Sequence, residues 1–166
     1  MRRDSVMEQA TIQHNATEVS HLNYQQYSTF FVSGRLYGID VKKVQEIVRP
    51  MPMTKIPLSQ DFVVGLINLR GQVATAISLH KLFGLEADPG KELMNVICKM
   101  DGHLISLLVD DIGDVVEVDN TSYEPTPITI HGAVRKFMLG VHKTDHNLLS
   151  VLDIEEIGNS LNQGEA

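Results

Sequence analysis

The chain has little with which to do covalent chemistry. It carries one cysteine and no tryptophan in 166 residues, so no intrachain disulfide can form and a reducing compartment is favoured. That cysteine, Cys98, lies in the apolar run 94–100 with no basic group beside it in sequence, which marks a buried structural thiol and not a nucleophile. GxGxxG, P-loop, GxSxG, HExxH and paired CxxC patterns are all missing, so no cofactor is expected. Of the seven histidines, His14 and His21 fall in a polar leading stretch and the others are scattered over turns and strand ends. His142 and His146 flank a turn with no helix to align them, the wrong frame for a metal pair. Net positive charge is missing too. A formal charge of -7 and a pI near 5.4 speak against nonspecific binding to nucleic acid or anionic lipid. No window approaches the roughly 20 apolar residues of a spanning helix, and Arg2 and Arg3 have no apolar run behind them. Neither direct membrane insertion nor a secretory signal is therefore expected, and the protein is placed in the cytoplasm.

What the sequence does have is β patterning. Residues 1–25 are polar and aperiodic, as in a disordered arm, and residues 26–160 read as a single compact domain. Residues 27–33 and 36–40 form strand, turn, strand around Gly34 and Arg35. Val41, Val44, Ile47 and Val48 then fall at helical spacing behind Asp40 as N-cap and before Pro50, which predicts a helix of about two turns. Prolines at 50, 52 and 57 hold the next stretch extended. Residues 62–79, FVVGLINLRGQVATAISL, are two apolar arms with Arg70 and Gly71 at the bend, an apolar hairpin that leaves one arginine fixed at its tip. A single helical turn at 80–83 ends at Gly84, and Asp101 with Gly102 turns a second hairpin, residues 93–109. The acidic run Asp110, Asp111, Asp114, Glu117 and Asp119 suits a solvated strand edge. Residues 137–141 and 148–152 are strands, followed by a closing helix capped by Asp153.

Two halves of the chain echo each other. From Gly34 and from Gly102, Leu36 falls on Leu104, Ile39 on Leu107, Val41 on Val109 and Val44 on Ile112. The hairpin at Phe62 lies on residues 137–154 without a gap, Gly65 on Gly140, Thr75 on Ser150 and Ile77 on Leu152. Any two hairpins share alternation, so it is the common order and spacing that favour duplication. Two copies of about five strands predict two small packed β-barrels, about residues 27–88 and 92–157 or intertwined, with a groove between them. A binding module follows from such a groove more readily than an enzyme does. A small metal-dependent hydrolase would require His103, His131 and the acidic run to converge in space.

The run Val63, Val64, Gly65, Leu66, Ile67, Asn68, Leu69, Arg70, Gly71 resembles the signature of the CheW family, the coupling proteins of bacterial chemotaxis arrays. Residues 31–40, Val44 to Ile47 as VQEI, Ile56 with Pro57, and residues 107–116 resemble its flanks, so the likeness spans about residues 27–158. It implies a mostly β fold of two five-stranded Src-homology-3-like barrels with short helices. It also implies a non-catalytic adaptor joining the cytoplasmic tip of chemoreceptors to the regulatory domain of the histidine kinase CheA, or a similar adaptor in another chemosensory pathway. Carried onto matching positions, the receptor-binding residues would be Val41, Val44, Glu46, Ile47, Gly65, Asn68 and Arg70. The kinase-binding residues would be Val109, Ile112, Val115, Val116, Phe137 and Leu139. Thr75 and Ser78 stand where the family pattern has proline and aspartate, and His80 where it often has arginine; these bear on which receptor or kinase is bound more than on the fold.

Overall fold

The computed structural model describes residues 23–162. β-Branched and aromatic side chains at alternating positions build the strands: β1 (Tyr24–Val32), β2 (Arg35–Asp40), β3 (Val44–Val48), β4 (Val63–Leu69), β5 (Gln72–Ser78), β6 (Met94–Met100), β7 (His103–Val109), β8 (Asp111–Asp119), β9 (Tyr123–Glu124), β10 (Met138–Lys143) and β11 (Leu148–Leu152). Helices α1 (Leu79–Phe83) and α2 (Ile154–Asn159) follow β5 and β11. The strands form one sheet in the order β3, β6, β7, β5, β4 and another in the order β8, β1, β2, β11, β10, β9. The protein is mostly β, with two sheets of five and six strands, the sixth being the two-residue β9.

Local chemistry explains the punctuation. Ser33 and Gly34, Arg70 and Gly71, and Asp101 and Gly102 all have positive φ, the backbone that a two-residue hairpin turn of matching twist requires. The first of these turns thus falls one residue earlier than expected. Ser78 accepts from the Lys81 N–H to start α1, and Gly84 at φ 67 ends it. Asp153 accepts from the N–H groups of Glu155 and Glu156 to start α2.

Two expectations need correction. The helix expected after Asp40 is only a 3-10 turn, Val41–Lys43, capped by Asp40 through the Lys42 N–H; the chain then enters β3. Pairing with β6 shifts register between Val44, opposite Cys98, and Glu46, opposite Ile97. That bulge hides the two-residue alternation of a strand inside spacing that also fits a helix. The expected arm lies outside the described residues up to residue 22, and Tyr24 and Gln25 are already in β1, paired with Asp119 and Val118.

Each sheet takes strands from both halves of the chain. The β6–β7 hairpin lies between β3 on one side and β5–β4 on the other, while the β1–β2 hairpin lies between β8 and β11–β10. Registers obey the sequence echo. Thr75 pairs with Ile105 as Ser150 pairs with Tyr37, both in parallel, and Val44 pairs with Cys98 as Ile112 pairs with Phe30. One core lies between the sheets, with Phe30, Tyr37, Ile77, Leu107, Phe137 and Ile154 among its members. The five-stranded sheet has a second cluster on its other face, around Ile67, Ala74, Ile97 and Leu108. β6 and β7 are consequently buried on both faces and carry near-continuous apolar sequence.

Candidate functional site

The β4–β5 hairpin is fastened at both ends. At its base the Ser78 N–H donates to the Phe62 carbonyl at 2.8 Å. At its tip the Asn68 side-chain oxygen accepts from the Gly71 N–H at 2.9 Å, which holds the turn with Arg70 at φ 49. Gly65 is buried, and a Cβ there would stand 2.6 Å from the Thr54 carbonyl. Thr54 and Leu66 exchange backbone hydrogen bonds of 2.9 and 2.7 Å, so residues around 54 cover the outer edge of β4. Gly65 thus serves close backbone approach and presents no side chain to a partner.

Arg70 is displayed but not loose. Its side chain is 75% exposed, yet its Nη2 lies 2.5 Å from Glu46 Oε1, whose side chain is 24% exposed. Glu46 sits on β3 and Arg70 follows β4, the opposite edges of the five-stranded sheet. The sheet therefore curls until an ion pair joins its edges. Held at both ends, the guanidinium has fewer rotamers to lose when a partner docks. Val73, paired with Asn68 near the tip, is 57% exposed, and Ile47, next to Glu46 in sequence but on the other face of β3, is 39% exposed. Val73 was missing from the expected set, although its place one residue before the buried Ala74 puts it on the opposite face of β5.

The expected receptor set is brought together in part. Glu46, Asn68 and Arg70 converge on the tip, with Ile47 next to Glu46 on β3. Val41 and Val44 are half-buried, Val44 against the inter-sheet core, and Gly65 is structural. The expected kinase set divides. Val109 and Phe137 are core residues, 0% and 5% exposed. Ile112 and Val116 are half-buried, whereas Val115 on β8 and Leu139 on β10 are 58% and 51% exposed. Strands β8 and β10 are separated in their sheet by β1, β2 and β11, so the kinase set is not one contiguous patch.

The residues that a hydrolytic site would need are apart. His103 lines a cleft beside the β6–β7 turn and His131 another beside β2. Burial pushes the Cys98 thiol up to about 12, far from thiolate chemistry. His80 is buried with Nε2 3.0 Å from Asp110 Oδ2, and Asp110 also accepts from the Ser33 N–H at 2.8 Å; together they tie α1, the β7–β8 corner and the β1–β2 turn. His142 is buried between the Ser122 hydroxyl, 2.8 Å from Nδ1, and the Tyr27 hydroxyl, 3.4 Å from Nε2; burial lowers its pKa below the usual value near 6.5. These polar groups stitch elements together.

Two sheets, each built from strands of both halves of the chain, and a braced hairpin with an exposed arginine and Val73 near its tip define a docking scaffold. Comparison with known proteins identifies its kin. The CheW-like domain family model matches residues 26–162, and the chain belongs to the CheW-like family. It is 30% identical over 157 residues to the chemotaxis protein CheW of Treponema pallidum, covering 90% of this chain and 92% of the relative. It is 28% identical over 133 residues to that of Helicobacter pylori, covering 80% of each. The crystal structure of the scaffolding protein TtCheW from Thermoanaerobacter tengcongensis superposes with a TM-score of 0.72 at 32% identity, covering 78% of this chain and 88% of that one. No helix among the described residues is long and apolar enough to cross a membrane.

Proposed function

We propose that this protein is a non-catalytic adaptor that couples the cytoplasmic tip of bacterial chemoreceptors to the regulatory domain of the histidine kinase CheA. It works in the cytoplasm and reaches the membrane through its partners. The match of the family model over residues 26–162 carries this reading, and the braced Arg70 tip supplies a physical basis for docking. Receptor contact is assigned to the tip and the edge beside it: Arg70, Asn68, Glu46, Ile47, Val44 and Val41, with Gly65 supporting them from within. Kinase contact is assigned to two separate exposed positions, Val115 on β8 and Leu139 on β10, with the half-buried Ile112 and Val116 on β8 and the core residues Val109 and Phe137 in supporting roles. Association in this form buries apolar side chains at the centre and leaves charges at the rim, where they set orientation and on-rate.

Reconstitution tests it. Purified chain is mixed with receptor-bearing membranes and CheA, and both co-sedimentation and kinase autophosphorylation are followed. Formation of a sedimenting ternary complex that raises kinase activity is the expected result. A folded chain that binds neither component would refute the assignment.

A further inference from the structure

A cleft of about 540 Å³ lies between β2, the start of β11 and the loop that precedes β10, on the six-stranded sheet, whereas Arg70 belongs to the five-stranded one. Its volume falls within the range of small-molecule sites, roughly 300–1,000 Å³. Its apolar lining includes Ile130, Val134, Met138 and Leu148; the Leu36 side chain packs on the opposite face of the sheet with Tyr27, Leu149 and Val151. Arg35, His131, Tyr37 and Ser150 also line it, and the Arg35 side chain hydrogen-bonds with that of the buried Tyr37. Tyr37 and Ser150 are brought side by side by the parallel pairing of β2 and β11.

Charge sets this cleft apart. The chain is acidic, with 21 carboxylates against 14 lysines and arginines, yet no Asp or Glu lines the cleft among the described residues. Arg35 has no carboxylate within ion-pair distance among the described residues, unlike Lys43, Arg70, Lys81, Lys91 and Lys143, each of which has one. The loop that precedes β10 is clamped. Arg135 donates from Nη1 to the carbonyls of Pro127 at 2.6 Å and Ile130 at 3.2 Å, and from Nη2 to that of Thr126 at 3.3 Å. The loop bearing Thr129, Ile130 and His131 is thereby held in place before any ligand arrives.

We propose that this cleft binds a small organic carboxylate with a short apolar body. The guanidinium of Arg35 meets the carboxylate through its paired N–H groups, a match that a planar fork makes well. The Tyr37 hydroxyl orients that guanidinium, the Ser150 hydroxyl and the His131 ring supply further donors, and the aliphatic body lies on Met138 and Leu148.

The test is an NMR titration of the full ¹⁵N-labelled chain with hexanoate, with hexanol and hexylamine as the neutral and cationic probes of matching length. Hexanoate is expected to give saturable shifts centred on residues 35–37, 129–131 and 148–150, with a Kd of about 1 mM, ordinary for a ligand of this size. Arg35→Gln should weaken hexanoate about tenfold and leave hexanol unchanged. Leu148→Glu, at a position 40% exposed, places a carboxylate in the cleft and should abolish hexanoate binding with the melting temperature retained. Equal binding of hexanol, an Arg35→Gln chain with unchanged affinity, shifts centred elsewhere, or no saturable shift up to about 10 mM would each overturn the proposal.

Discussion

The β4–β5 and β10–β11 hairpins are the same device with different tips. Each arm bends at a glycine, with the register shift falling between Val63 and Gly65 in one and between Met138 and Gly140 in the other. Each glycine admits a crossing backbone: a Cβ at either would stand 2.6 Å from a carbonyl, that of Thr54 or of Glu124. Each base closes with a 2.8 Å hydrogen bond, Ser78 N–H to Phe62 and Asp153 N–H to Phe137, and each donor residue also caps the helix that follows. Even the flanking ion pair recurs with its charges exchanged, Lys81 with Asp61 in the first and Lys136 with Glu156 in the second. At the tips the likeness stops. Arg70 and Gly71 have positive φ and an ion pair to Glu46, whereas Asp145 and His146 lack positive φ and Thr144 closes that turn through Asn147. Arms that agree in such detail are structural, and the tip that differs is where function is sought.

If the arms are equivalent, breaking either core should be equally severe. Ile77 and Leu152 occupy matching positions and are 0% and 2% exposed. Ile77→Asp and Leu152→Asp should each cost roughly 3 kcal/mol or more and abolish the cooperative thermal melt. A folded, cooperative melt in either would break the equivalence.

The glycines give a finer comparison. Gly65→Ala and Gly140→Ala should each lose about 1–3 kcal/mol in urea unfolding, because the clashing atom is backbone and cannot swing aside. Tyr123 also stands against the second position, so Gly140→Ala should be at least as costly.

A pH dependence separates the sheets. His142 lies in the six-stranded one and its pKa is lowered by burial. A depressed pKa means that the unfolded chain takes up the proton first, so the stability contributed by neutral His142 is present above about pH 6.5 and is lost as pH falls below it towards the folded value. Stability measured by denaturant between pH 7 and 5 should fall, and His142→Gln should flatten that slope whatever its effect at pH 7. An unchanged slope would show that His142 is not the titrating group.

Much of this was legible from residue order. The turns at Arg70 and Asp101, the stop at Gly84 and the cap at Asp153 are short-range chemistry, written in one or two residues each. The apolar arms follow because their burial alternates or is continuous. The strand at 44–48 was hidden because its bulge scrambles the period of two while Val41, Val44, Ile47 and Val48 keep a helical one; their β branching was the better guide. The polar start of β1 was passed over because Tyr24 and Gln25 face solvent in part. The exchange of strands between halves, the pairing of Glu46 with Arg70 and the clamp made by Arg135 join distant residues, and no local pattern encodes them. At the candidate site, the signature revealed Arg70 but not that its tip is braced.

The smallest change in stability carries the largest functional weight. Arg70→Glu reverses an exposed charge and should shift stability by no more than about 1 kcal/mol, since exposed ion pairs contribute little. The direct comparison sets Arg70→Glu beside Asp145→Arg, the matching position of the other tip, in co-sedimentation with receptor-bearing membranes and CheA. Arg70→Glu should lose co-sedimentation while Asp145→Arg retains it, both chains melting like the parent. Equal retention by the two, or equal loss, would contradict a function seated at the first tip alone.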